Sequence, residues 1–354
     1  MHRENNFDFL RFLFAVFVVL THAFAISGEG EHNEWLYQWS NGQTAFSQIG
    51  LSGFFVISGY FIFQSMQRSD SLLTYYKKRF LRLFPALFVV LILTLLLLPF
   101  VYERDVPMYK NVEVLTYLPN NLSLYNFQPV IKGVFDNNPY HSINGSLWTI
   151  RYEFSLYIAV GLLYAVRHNY KMTRVLIALV FIAMLIVYNF FMARFGGSSI
   201  LGMQGSHILN LGAFFVCGSL LAAYGFENIN NKKLLLFVTV VILIFSLTFN
   251  FYREVKHIVF PVVILLIGFI PFPFFSRFEK IGDMSYGIYI YSFPIQQTLV
   301  YFYKLDVYQL IFWSLLISIV FGYLSWHLVE KKALIYKVKS MLNYGNLSLL
   351  KGKK

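Results

Sequence analysis

Charge is scarce in this sequence, and cysteine is almost absent. Asp, Glu, Lys and Arg make up 13% of the 354 residues, about half the share found in a soluble domain. So little charge excludes a chain that covers itself with solvated polar groups. One cysteine, Cys217, excludes an intramolecular disulfide and a thiolate metal cluster. Alone in an apolar run, it reads as a small buried hydrophobe. Familiar chemical motifs are missing as well: there is no phosphate-binding glycine loop, no Gly-x-Ser-x-Gly elbow and no metal-ligand spacing. The net charge of +12 comes without a basic-plus-aromatic module, so nucleic acid is not an expected partner.

What the chain has instead is apolar length. Hydrophobic residues reach 57% and aromatics 19%, and they fall in long runs rather than amphipathic stripes, so lipid is the expected solvent. Ten spans are expected, near 7–26, 45–65, 80–101, 146–166, 173–193, 205–224, 233–250, 257–274, 284–303 and 307–329. An even number puts both termini on one side. Twenty Lys and Arg then flank that side and seven the other, a bias that places the termini in the cytoplasm. The fold class expected is an all-α integral membrane protein: one polytopic domain over 1–335 and a basic cytoplasmic tail over 336–354. The loop from Tyr102 to Gly145 lies outside. It carries turn-forming runs such as Pro119-Asn120-Asn121 and is long enough to cover a site.

A few polar residues interrupt the apolar runs. Arg11 and His22 are eleven residues apart in the first span, so a helix directs both to one face, separated by about 16 Å along the axis. Ionisable groups at such depth mark a substrate path, a proton path or a catalytic site. A signal peptide cleaved after Ala25 is the rival reading of this run, and Arg11 and His22 inside it argue against that. The second span contains Ser58 and Gly59, where helix packing is the ordinary role for glycine and close approach of a thin ligand the functional one. Arg79 and Arg82, three apart, are either a topology anchor or a clamp for a phosphorylated cytosolic ligand. Ser146, Thr149, Glu153 and Tyr157 form one stripe on the fourth span, beside Trp148. Glu153 needs a partner, and His22 at similar depth could supply one. Ser285, Tyr289, Ser292 and Gln296 form a second stripe, with Tyr286 adjacent, on the ninth span.

These residues resemble the membrane acyltransferase type 3 family, integral-membrane enzymes that O-acylate bacterial surface glycans. The resemblance covers about 7–332. It rests on Arg11 with His22, on Phe54-Phe55-x-x-Ser58-Gly59-Tyr60, and on Arg79-x-x-Arg82 followed by Pro85. Ser146-Leu147-Trp148 with Glu153, Ser285-Tyr286-x-x-Tyr289, and Trp326 with Glu330 complete it. Two positions depart: Ser292 stands where many members have His, and Lys332 where many have Pro. The resemblance implies an acyl-CoA donor, usually acetyl-CoA, held from the cytoplasm, and a glycan or lipid-linked sugar hydroxyl acylated outside the bacterial inner membrane. On that reading His22 is general base or transient acyl carrier, Glu153 orients it, and Arg11 positions the thioester. Arg79, Arg82, Ser58 and Gly59 hold the donor; Ser146, Trp148, Tyr286 and Tyr289 line the cavity; no metal is implied. The alternative is a glycolipid or acyl transporter that uses Arg11, His22 and Glu153 as a proton relay.

Overall fold

A computed structural model describes residues 5–335, so the expected basic tail at 336–354 lies outside the described residues. A helix occupies each of the ten apolar runs. In chain order the helices are α1 (Phe7–Ile26), α2 (Trp35–Trp39), α3 (Phe46–Gln67), α4 (Leu72–Val101), α5 (Val112–Leu122), α6 (Ile150–Leu162) and α7 (Tyr170–Phe190). They continue as α8 (Met192–Phe195), α9 (Gly205–Ala223), α10 (Lys232–Thr248), α11 (Tyr252–Phe269), α12 (Ser285–Phe302) and α13 (Val307–Ser325). Strands Ser199–Ile200 and Met203–Gln204 form one small hairpin. Six helices among the described residues are long and apolar enough to cross a membrane: α1, α3, α4, α7, α9 and the stretch from Val307 to Ile335. Their outward faces are apolar, with Leu96 63% and Phe190 78% exposed. That surface suits lipid and defines a multi-pass membrane protein.

The centre of the bundle is α3, packed on α1 and α9, while α12 lies against α1 and α13. Lipid supplies no hydrophobic force between helices, so close contact must come from small residues. Glycines provide it here. A Cβ at Gly59 would lie 1.9 Å from the Phe215 carbonyl oxygen of α9, and one at Gly218 2.3 Å from that of Val56 on α3. Gly53 faces the Phe14 ring of α1 in the same way. The two backbones of α3 and α9 therefore meet almost directly. Gly59→Ala is expected to cost about 3 kcal/mol by overpacking, read as a lower thermal midpoint of the purified protein in detergent.

Two connections are more structured than their composition suggests. The segment after Tyr102 contains α5, with Asn111 accepting from Glu113 N at its start, so the expected turn at Pro119-Asn120-Asn121 is instead the last turn of a helix. The rest of that segment is strapped to α12. Gln297 Nε2 donates to Tyr140 O and Ser142 O at 2.6 and 2.5 Å, and Asn144 Nδ2 to Ile290 O at 2.8 Å. In the loop before α3, Glu34 turns inward, fully buried. Its carboxylate accepts from Phe46 N at 2.6 Å and from the Thr21 hydroxyl, tying the loop to α1 and α3. Glu34→Ala would orphan both donors and is expected to cost about 2 kcal/mol, measurable as increased proteolysis of 27–44 together with a lower thermal midpoint.

Candidate active site

At one end of the bundle the starts of α1, α4 and α12 converge with the end of α3 and the turn that follows α13. There the chain winds into a π-helical segment, Trp326–Glu330. The wider turn brings residues five apart into register, and Ser325 Oγ donates to Glu330 Oε1 at 3.0 Å. Glu330 is thereby aimed into the bundle with only 1% of its surface exposed. Between these elements lies a cavity of about 470 Å³.

Its charged lining consists of Arg11, Lys78, Arg79 and Arg82 against Asp8, Glu153, Glu279 and Asp283. Much of this charge is already matched. Asp283 Oδ2 receives Arg82 Nη2 at 2.5 Å and Arg11 Nη1 at 3.3 Å. Arg82 Nη1 reaches Glu330 Oε2 at 3.1 Å, and Arg11 also faces Asp8 at 3.7 Å. Asp283 Oδ1 accepts from the Ser285 hydroxyl at 2.5 Å and from its N–H at 3.3 Å, which caps α12. Burial works against the charge of Asp283, but the guanidinia of Arg82 and Arg11 and the Ser285 bonds outweigh it and hold the carboxyl below its usual range. This network joins α1, α4 and α12 at the Asp283 carboxylate and the π-helical turn through Arg82 and Glu330.

Arg79 is placed differently. Its Nη2 donates to Ser65 Oγ at 3.3 Å, it lies over the rings of Tyr75 and Tyr157, and it meets no carboxylate within 4.0 Å among the described residues. Its Nε is buried without a partner. Deeper along the cavity, Glu153 Oε1 accepts from Ser58 Oγ at 3.1 Å and from the Tyr157 hydroxyl. The inner end carries Thr149 and Tyr289, whose hydroxyls lie 2.5 Å apart, with Tyr289 donating to Ser146 O at 2.8 Å. Tyr286 donates to Leu83 O at 3.1 Å. Thr149, Glu153 and Tyr157 of one polar stripe and Ser285 and Tyr289 of the other thus line the same cavity, while Gln296 turns to Val19 O and Ser314 Oγ.

Other residues singled out in the sequence lie elsewhere. His22 sits outside the cavity lining, against Phe293 at 5.1 Å between ring centroids, with Nδ1 buried and unpartnered. Glu153 is bonded to Ser58 and Tyr157 rather than to His22, because the α6 stripe turns toward α3. Gly59 packs on α9 and does not reach the cavity. Trp148 lies outside its lining, tilted against His207 at 4.5 Å and edge-to-face with Tyr152 at 5.3 Å between ring centroids. Ser146 is buried, and only its carbonyl meets Tyr289. The residue sequence reasoning passed over is Asp283. Its signal in the sequence is an acid two residues ahead of Ser285, where the polar stripe of α12 begins. No group of three metal-ligating side chains occurs among the described residues.

The bundle thus keeps a cavity lined by buried charges at one end of its helices. The comparisons give the family. Residues 4–329 match the family described as "Acyltransferase domain", and the chain belongs to that family. An "O-acetyl transferase" of Shigella phage Sf6 is 30% identical over 343 residues, covering 94% of this chain and 97% of the relative. "Nodulation protein 10" of Rhizobium leguminosarum bv. viciae is 30% identical over 189 residues, 51% of this chain and 49% of that protein. No solved structure matches the chain.

Proposed function

We propose that this protein transfers an acyl group, acetyl in the first instance, from cytosolic acyl-CoA to a hydroxyl of a surface or lipid-linked glycan at the outer face of a bacterial inner membrane. The observation that carries the reading is the cavity itself. Its mouth presents a guanidinium, Arg79, with no carboxylate within 4.0 Å among the described residues, suited to a phosphorylated donor. Around Thr149 and Tyr289 its lining is uncharged, with hydroxyls, aromatic rings and the aliphatic Leu51 and Ile150, suited to a neutral thioester arm. The likeness to an O-acetyl transferase over nearly the whole of both chains supports oxygen as the acceptor atom. The excess of Lys and Arg at the termini and at alternate loops supports a cytosolic mouth.

In this reading the donor enters past Arg79 and its thioester end passes Ser58, Thr149 and Tyr289 toward His22. The unpartnered Nδ1 of His22 takes the proton of the acceptor hydroxyl. The hydroxyl oxygen attacks the thioester carbonyl, the carbon–sulfur bond breaks, and the imidazolium returns its proton to the departing thiolate. The free ester and coenzyme A are the products. Arg11, held by Asp283, lends positive potential near the thioester path. A proton relay through Arg11, Glu153 and His22 finds less support, because each is bonded to a different neighbour or to none. Comparing the ester content of surface glycans from cells with and without the gene tests the reading. Acyl esters present only with the gene support it; equal ester content refutes it.

A further inference from the structure

The expected clamp of Arg79 with Arg82 does not exist as a pair of free cations. Both Nη atoms of Arg82 are occupied, one by Asp283 Oδ2 at 2.5 Å and one by Glu330 Oε2 at 3.1 Å, and the guanidinium lies over Trp326. A phosphate approaching Arg82 would have to displace two buried carboxylates. Arg79 and its neighbour Lys78 are in the opposite state. Both line the cavity, and neither makes an ion pair within 4.0 Å among the described residues. Each is hydrogen-bonded to a neutral hydroxyl at or just past the end of α3, Arg79 Nη2 to Ser65 Oγ and Lys78 Nζ to Ser69 Oγ, both at 3.3 Å, and Arg79 lies over the Tyr75 and Tyr157 rings besides. Arg79 Nε is buried and unpartnered.

We propose that Lys78 and Arg79, steadied by Ser65 and Ser69, form the seat for a phosphate of the donor, and that Arg82 is a positioning residue locked to Asp283 and Glu330. The proposal rests on the acyl-CoA reading above and names which residues meet the ligand's anionic end. The chemistry favours it. Hydroxyls hold a cation in place without neutralising it, so its attraction for an incoming dianion remains, whereas a carboxylate cancels that attraction. A guanidinium beside an ammonium supplies one directional fork and one mobile point charge. Phosphoryl groups reach this end of the bundle from two sources, the nucleotide portion of the donor and the headgroups of the adjacent leaflet. The proposal assigns the first.

The test compares acetyl-CoA with S-acetyl-pantetheine, which carries the same thioester and no phosphate, on the purified full-length protein with a glycan acceptor. Wild type should show a much lower KM for acetyl-CoA. Arg79→Ala should raise that KM about ten- to a hundred-fold and Lys78→Ala several-fold, with little change in KM for S-acetyl-pantetheine. Arg79→Lys should recover part of the loss. Arg82→Lys should leave the acetyl-CoA KM within about two-fold and show its cost as a lower thermal midpoint. The seat is refuted if Arg82→Lys raises the KM as Arg79→Ala does, or if wild type treats the two donors alike. It is also refuted if the Lys78 and Arg79 variants change only the dependence of activity on anionic phospholipid vesicles. If wild type releases no coenzyme A from acetyl-CoA at all, the acyl-CoA reading falls, and the seat with it.

Discussion

His22→Ala is expected to lower kcat for acyl transfer about a thousand-fold, the range in which a positioned general base contributes, with donor KM close to wild type. The separation of the two constants follows from geometry. His22 lies outside the lining of the cavity proposed for the donor, so removing the imidazole should leave the seat for the donor's anionic end intact. Its Nδ1 is buried with no partner, so the ring is not part of a hydrogen-bonded scaffold that the substitution would collapse. What it does contact is the Phe293 ring, and the small void left beside that ring costs stability without touching the ion network at the other end. A donor KM that rises together with the fall in kcat would move His22 from chemistry to binding. Label retained on wild-type protein after denaturation, when labelled donor is given without acceptor, would make His22 the acyl carrier rather than the base.

Asp283→Asn is expected to cost about 3 kcal/mol of stability, the usual scale for removing one partner of a buried ion pair. The change keeps the size and an acceptor for Ser285 but leaves Arg82 and Arg11 facing each other without the shared carboxylate. The pH dependence has a definite sign. The folded carboxyl is held below its ordinary value by the two guanidinia, so its contribution is fully present above the unfolded carboxyl pKa of about 4 and is lost as pH falls through the depressed folded value. Thermal unfolding in detergent between neutral and acid pH reads both effects. Wild type should lose its advantage over the variant only in the acid range, and an equal gap at every pH would remove Asp283 from the ion network.

The helices were legible because apolar runs in lipid have few alternatives: every backbone group must be bonded within its own segment. Their boundaries moved by a few residues, as at α4, which begins at Leu72 rather than near 80. What was missed follows from the same physics. Helix α5 is too short and too polar to stand out as a span, and it forms because Asn111 caps it and Val134 and Phe135 pack beneath the same segment. Periodicity gave the faces of α6 and α12 but not their neighbours, so Glu153 was offered to His22 and the fold gives it to Ser58 and Tyr157. Arg79 and Arg82 look equivalent in sequence. Only the carboxylates arriving from Asp283 and from Glu330, some two hundred residues away and more, distinguish them.

Passage of the acyl group from coenzyme A to a sugar hydroxyl is open to direct measurement. Purified protein in liposomes is given acetyl-labelled acetyl-CoA and isolated surface glycan, and the fate of the label is followed. Free coenzyme A and alkali-labile acetyl ester on the glycan should appear in equal amounts, both formed about a thousand-fold more slowly by His22→Ala. Label that crosses the bilayer still attached to coenzyme A, with no ester formed on the glycan, would contradict such a transfer.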